Sequence, residues 1–190
     1  SIPKINTNGF ISKFNLLFKN VTTESDNSNE YSNNFRSQNF GSILYDISYP
    51  LKKEGNNFDS FISGKASLMY SPNKNKNIKN LDRKIGIKNI FNQNRLGLSD
   101  SVEGGQSLTL GGEFKLTDKS NNSFLTAGLA SVLRDKNEEK LPISSTINNK
   151  SSDIIGSFNI KPNNNFLTAG LASVLRDKNE EKLPNSSTIN

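Results

Sequence analysis

Residues 107–117 read SLTLGGEFKLT, and this stretch decides the fold. Leu108, Leu110, Phe114 and Leu116 occupy even positions, while Ser107, Thr109, Glu113, Lys115 and Thr117 occupy odd ones. Successive side chains of a strand point to opposite faces, so this period of two predicts a strand with one apolar and one polar face. The same grammar recurs on either side. In Gly9–Lys19, Phe10, Phe14, Leu16 and Phe18 alternate with Lys13, Asn15 and Lys19. In Gly41–Pro50, Ile43, Tyr45, Ile47 and Tyr49 stand against Ser42, Asp46 and Ser48. Asp59–Tyr70 sets Ile62, Ala66, Leu68 and Tyr70 against Ser63, Lys65 and Ser67, and Asp153–Lys161 sets Ile154, Phe158 and Ile160 against Ser157, Asn159 and Lys161. Phe124–Leu133 is less regular but long enough for a strand. A helix over Ala127–Asp135 is the alternative there, because Ala, Leu and Arg are good helix formers.

These runs of about ten residues exceed the ~5–6 usual for strands of soluble sheets. They match the ~9–11 residues with which a tilted strand crosses a bilayer. In a transmembrane barrel the apolar face meets lipid and the polar face a wet lumen. An antiparallel sandwich with one solvated face has the same alternation, and the pattern alone admits both. Seven aromatics near strand ends (Phe10, Phe18, Tyr45, Tyr49, Phe61, Tyr70 and Phe114) would form an interfacial girdle in the first case and a core in the second. Lys13, Lys19, Lys65 and Lys115 then face the lumen, keeping it wet or meeting lipid phosphates. Between the strands, Thr22–Asn39, Pro72–Asp82, Asp135–Ser152 and Asn179–Asn190 are polar and read as mobile loops.

Composition narrows the function. Of 190 residues, 30 are Asn, 26 Ser and 19 Lys, and there is neither Cys nor His. That excludes disulfides, thiolate and imidazole metal sites and any nucleophile resting on Cys or His. Hydrophobic residues are 32% and mean hydropathy is −0.61. A barrel strand that is half polar tolerates such values. A net charge of +6 carried mostly by scattered lysines is too diffuse for a nucleic-acid footprint. No apolar run has the length of a transmembrane helix. Ser1-Ile2-Pro3 is no initiator sequence, no signal peptide is visible, and the chain reads as an internal piece of a longer one.

One segment occurs twice. Residues 124–148 read FLTAGLASVLRDKNEEKLPISSTIN and residues 166–190 read FLTAGLASVLRDKNEEKLPNSSTIN, differing only at Ile143 against Asn185. Natural solenoids need about three or more drifting repeats. Two near-identical copies read instead as a recent duplication or an assembly artefact. The expected organisation is therefore a barrel part over 1–165 followed by a duplicate at 166–190.

Candidate sites are few. Asp100 and Glu103 sit at i and i+3 beside Arg95, which suits a structural ion pair or turn caps better than a carboxylate pair flanking a cleft. Glu24, Asp26 and Glu30 cluster but lack the order of a calcium loop. Glu103-Gly104-Gly105-Gln106 has no following Lys-Ser/Thr and is no phosphate loop; the glycines fit a turn entering a strand.

Ile85–Phe114 resembles the barrel domain of the LptD family of LPS-assembly (organic solvent tolerance) proteins. The resemblance rests on Asn89, Ile90 and Phe91, on Asn94 and Arg95, on Asp100, on Glu103-Gly104-Gly105, and on Leu108, Leu110 and Gly112. Tyr49-Pro50-Leu51 and Ser71-Pro72-Asn73 resemble the family's strand ends, and Ser152-Asp153-Ile154-Ile155-Gly156 with Pro162 a strand start and exit. The blocks keep the family's order over about Gly41–Asn165; at Phe166 the chain departs and replays Phe124 onward. The resemblance implies an all-β antiparallel meander of long amphipathic strands, a curved open sheet that is part of an outer-membrane β-barrel. It implies lipopolysaccharide assembly in the outer membrane of a Gram-negative bacterium, with lipopolysaccharide, a periplasmic bridge protein and an LptE-like plug lipoprotein as partners. It implies no catalytic group, no cofactor and no metal, and a structural role for Asn94, Arg95, Asp100, Glu103, Gly104, Gly105, Ser152 and Asp153. The rival readings are a surface β-sandwich or repeat module for adhesion or binding, and a nonspecific porin. Cut out of its barrel, such a sheet is expected to aggregate in water.

Overall fold

The computed structural model describes residues 3–24, 35–83, 85–119, 123–144, 146–161, 169–171 and 174–175. Its elements are β1 (Lys4–Ile5), β2 (Ile11–Thr23), β3 (Arg36–Lys53), β4 (Phe58–Ser71), β5 (Gly105–Asp118), β6 (Ser123–Arg134), β7 (Ile154–Ile160), β8 (Ala169–Leu171) and β9 (Val174–Leu175). No helix occurs among the described residues, and the segment for which a helix was the alternative, Ala127–Asp135, lies in β6 up to Arg134. The strands form one open sheet in chain order from β1 to β8, every neighbour antiparallel, with β9 also paired to β7.

Register carries the alternation from strand to strand. Leu16 lies opposite Ile43, Ile43 opposite Tyr70, Leu68 opposite Leu108, and Leu108 opposite Leu133. Each apolar residue thus meets another on the same face, and a slip of one residue would turn a whole strand inside out. The connections also sort by end. The β3–β4 and β5–β6 turns, 54–57 and 119–122, are short and share one end of the sheet. The β4–β5 and β6–β7 connections, 72–104 and 135–153, are long and share the other.

β7 lies between two copies of one sequence. Ala127 in β6 pairs with Phe158, whereas its counterpart Ala169 in β8 pairs with Ile160, so the second copy is set two residues along β7. Residues 176–190 lie outside the described residues, as do Pro162 and the Asp26–Glu30 part of the acidic cluster.

Candidate functional site

The two faces of the sheet differ in chemistry. Phe14, Leu16, Phe18, Ile43, Tyr45, Tyr49, Ile62, Leu68, Tyr70, Leu110 and Leu129 share the outer face, and all are exposed. Leu16 is 72% exposed, Phe18 74% and Leu129 61%. Rings pair near the short-turn end, Phe10 with Tyr49 at 4.7 Å and Phe58 with Phe124 at 5.1 Å between centroids. The inner face is polar and cross-linked between strands. Asn15 Nδ2 donates to Asp46 at 3.0 Å, Ser67 Oγ donates to the same carboxylate, and Lys65 Nζ reaches Glu113 at 2.8 Å.

On the half of the inner face nearer the long connections, residues 72–104 and 135–153 fold down as a cap. Ile78, Ile85, Ile90, Leu96 and Leu98 from the first connection and Leu141 and Ile147 from the second pack with Ala130, Val132 and Ile155 of the wall. Ile90 is 0% exposed and Leu141 1%. Burying one such side chain contributes about 1.5–3 kcal/mol, so these stretches are packed structure. This corrects the reading of Pro72–Asp82 and Asp135–Ser152 as mobile loops. Periodicity could not reveal the packing, because an irregular chain buries residues at no fixed interval.

The polar wall receives the cap at defined points. Gln93 Nε2 donates to the Ser42 carbonyl and hydroxyl oxygens, both at 2.8 Å. Lys19 Nζ donates to the Leu98 carbonyl at 3.2 Å. Phe91 lies under Lys65 Nζ at 5.6 Å from the ring centroid. Gly128 of β6 leaves room for Ile87, since a Cβ there would lie 2.8 Å from Ile87 Cγ2.

Glu103 is the centre of the cap. Arg95 Nε donates to its Oε2 at 2.8 Å, and Arg95 Nη2 and Arg134 Nη2 both donate to its Oε1. All three side chains are almost fully buried. Arg95 also donates to Thr109 Oγ1 and Ser107 Oγ on β5, each at 2.9 Å, and Arg134 Nε donates to the Ile147 carbonyl at 2.8 Å. Burial pushes the Glu103 carboxyl up, but the attraction and hydrogen bonds of Arg95, and then of Arg134, outweigh it and hold the group below the usual carboxylate range.

The other residues singled out from the sequence surround this centre. Asn94 brackets Leu98: its Nδ2 donates to the Leu98 carbonyl at 3.1 Å, and its Oδ1 accepts from the Leu98 amide at 2.9 Å. Asp100 pairs with Lys76 at 2.6 Å. The Gly104 amide donates to Asn75 Oδ1 at 2.7 Å, and a Cβ on Gly104 would come within 2.0 Å of the Asn73 carbonyl oxygen. Gly105 opens β5 at φ 91°, a conformation glycine adopts without strain. Ser152 bridges to β6: its Oγ accepts from the Val132 amide at 2.9 Å. The Asp153 amide donates to Thr146 Oγ1. The ion pair expected of Arg95 is thus with Glu103, while Asp100 has a different cation. Arg134 was not singled out, although its even position places it with Val132 on the wall face. Of 71–73 only Ser71 lies on a strand, where it ends β4 and donates to the Gly41 carbonyl at 2.9 Å; 49–51 lies within β3, which runs on past Leu51 to Lys53.

Long antiparallel strands with an exposed apolar outer face and a polar inner face define a sector of an outer-membrane β-barrel. The family model described as LptD, LPS transport system D, matches residues 7–172, and the chain belongs to the LptD family. The family is one of outer-membrane lipopolysaccharide transport proteins, working with other proteins of the same transport system; it is a transport family and not an enzyme family. No individual curated protein matches the chain.

Proposed function

We propose that this chain is part of the wall of the translocon that places lipopolysaccharide in the outer leaflet of a Gram-negative outer membrane. The observation that carries this reading is the continuous exposed apolar face from β2 to β7 above a polar inner face. In outer-membrane barrels short turns face the periplasm and long loops the outside. Turns 54–57 and 119–122 then lie in the periplasm, and the cap descends into the lumen from the cell surface. The paired rings Phe10–Tyr49 and Phe58–Phe124 suit a girdle at the periplasmic interface. A periplasmic bridge protein delivers the lipid, and an LptE-like lipoprotein is the partner within the barrel. No residue carries catalysis. Asn94, Arg95, Asp100, Glu103, Gly104, Gly105, Ser152 and Asp153 serve to shape the cap and its junction with β5 and β7. Residues 1–165 form the barrel part, and 166–190 duplicate 124–148.

The test is depletion of the parent gene in its host, followed by fractionation of pulse-labelled lipopolysaccharide. The expected result is newly made lipopolysaccharide held back in the inner membrane and periplasm. Undiminished delivery to the cell surface would refute the reading.

A further inference from the structure

We propose that Arg95, Glu103 and Arg134 form a latch that keeps the two long connections down on the inner face as a single cap, and that cargo passes this sector only when the latch parts. The inference rests on the transport reading above and adds a positioning role for Glu103 within it.

The argument is one of connectivity and charge. Arg95 belongs to the first connection and ties it to the wall through Ser107 and Thr109 of β5. Arg134 ends β6 and holds the second connection through the Ile147 carbonyl. Arg134 Nη1 also reaches the Gly104 carbonyl at 3.5 Å, and the connections meet directly where the Ile78 amide donates to the Lys140 carbonyl at 2.9 Å, but it is the Glu103 carboxylate that joins the two guanidinium groups. Two further bonds brace the same point: Asn75 Nδ2 donates to Glu138 Oε2 at 2.9 Å, and the Gly104 amide donates to Asn75 Oδ1. Without the Glu103 charge, two buried cations face one another with no partner between them, and burial makes that repulsion strong. Loss of this one charge therefore weakens the seating of both connections at once. Apolar packing alone has no such single point of release, because its contribution is spread over many side chains.

The test uses the full parent protein in its membrane. No cysteine occurs in these 190 residues, so Ser42→Cys with Gln93→Cys places one thiol on the wall and one on the cap, which a short reducible bis-thiosulfonate reagent can join. With Glu103 present, the pair is expected to be bridged nearly completely. Adding Glu103→Gln is expected to lower the yield at least fivefold in protein that still shows the gel mobility of a folded barrel. An unchanged yield in that folded barrel would overturn the latch. If Glu103→Gln does not assemble, Glu103→Asp keeps the charge but shortens its reach: a reduced yield supports the latch and an unchanged one overturns it. Lipopolysaccharide delivery is then compared with the bridge closed and after reduction. Delivery that is low when closed and restored by reductant supports passage past the cap, and equal delivery in both states overturns that part. The bridging yield does not depend on transport, so failure of the latch is separable from failure of the transport reading.

Discussion

The strands and the connections of this chain put their apolar side chains in opposite places. On β2, β4 and β6, Leu16, Leu68 and Leu129 stand exposed on the outer face. In the Asn- and Lys-rich connections, Ile78, Ile90, Leu141 and Ile147 are buried. A β-sandwich would do the reverse, burying the strand residues against a second sheet and leaving the loops wet. The difference shows two apolar sets matched to two surroundings. One is regular and faces lipid; the other is irregular and seals a cap against a polar wall.

Glu103→Gln is expected to have the largest effect. Breaking a buried ion pair from one side costs about 3–5 kcal/mol, seen as a lower urea midpoint of the folded parent barrel. The same carboxylate predicts a pH response. Its folded-state pKa lies below the ordinary value near 4.3, so its contribution is fully present above that value and is lost as pH falls below it towards the folded pKa. Unfolding followed from pH 6 to pH 3 should show this loss, and Glu103→Gln should remove the corresponding part of the slope. Next comes Ile90→Ala, which empties a fully buried site in the cap at a cost of about 2–5 kcal/mol by the same midpoint. Ile62→Arg, near the middle of β4, tests the opposite face. In a bilayer an outward arginine near midplane costs about 2–4 kcal/mol, whereas on a water-exposed strand it would cost almost nothing. The smallest effect is expected for Lys65→Gln on the inner face, where the cap reaches this lysine through the Phe91 ring. Its pair with Glu113 is partly solvated, so the change should stay within about 1 kcal/mol.

The strands were legible in the sequence because period two is a direct consequence of backbone geometry. Each run quoted above lies in or overlaps a strand of the structure, and Leu108, Leu110, Phe114 and Leu116 share the outer face as their alternation requires. Strand ends were less clear: β3 runs from Arg36 to Lys53, beyond Gly41–Pro50, because Ser37, Gln38 and Asn39 continue the pairing without an apolar signature. The cap was illegible for the same reason that the strands were clear. Ile78, Leu96 and Ile147 follow no period, and their neighbours are Asn77 and Lys79, Arg95 and Gly97, and Thr146 and Asn148. Of the buried ion triad, Arg95 and Glu103 could be read as neighbours in a loop. Arg134 could not, because its approach to Glu103 is made by the pairing of β5 with β6, which puts Arg134 opposite Ser107.

The central claim is that the outer face lies in lipid and the inner face in water. The direct measurement is spin-label accessibility in the parent barrel reconstituted in bilayers, with single cysteines at Leu68, Leu110 and Leu129 and at Lys65 and Glu113. The account predicts that the first three labels collide freely with oxygen and poorly with a water-soluble nickel chelate, and that the last two show the reverse. Similar chelate collision rates at both sets, or burial of the first set from both reagents, would contradict it.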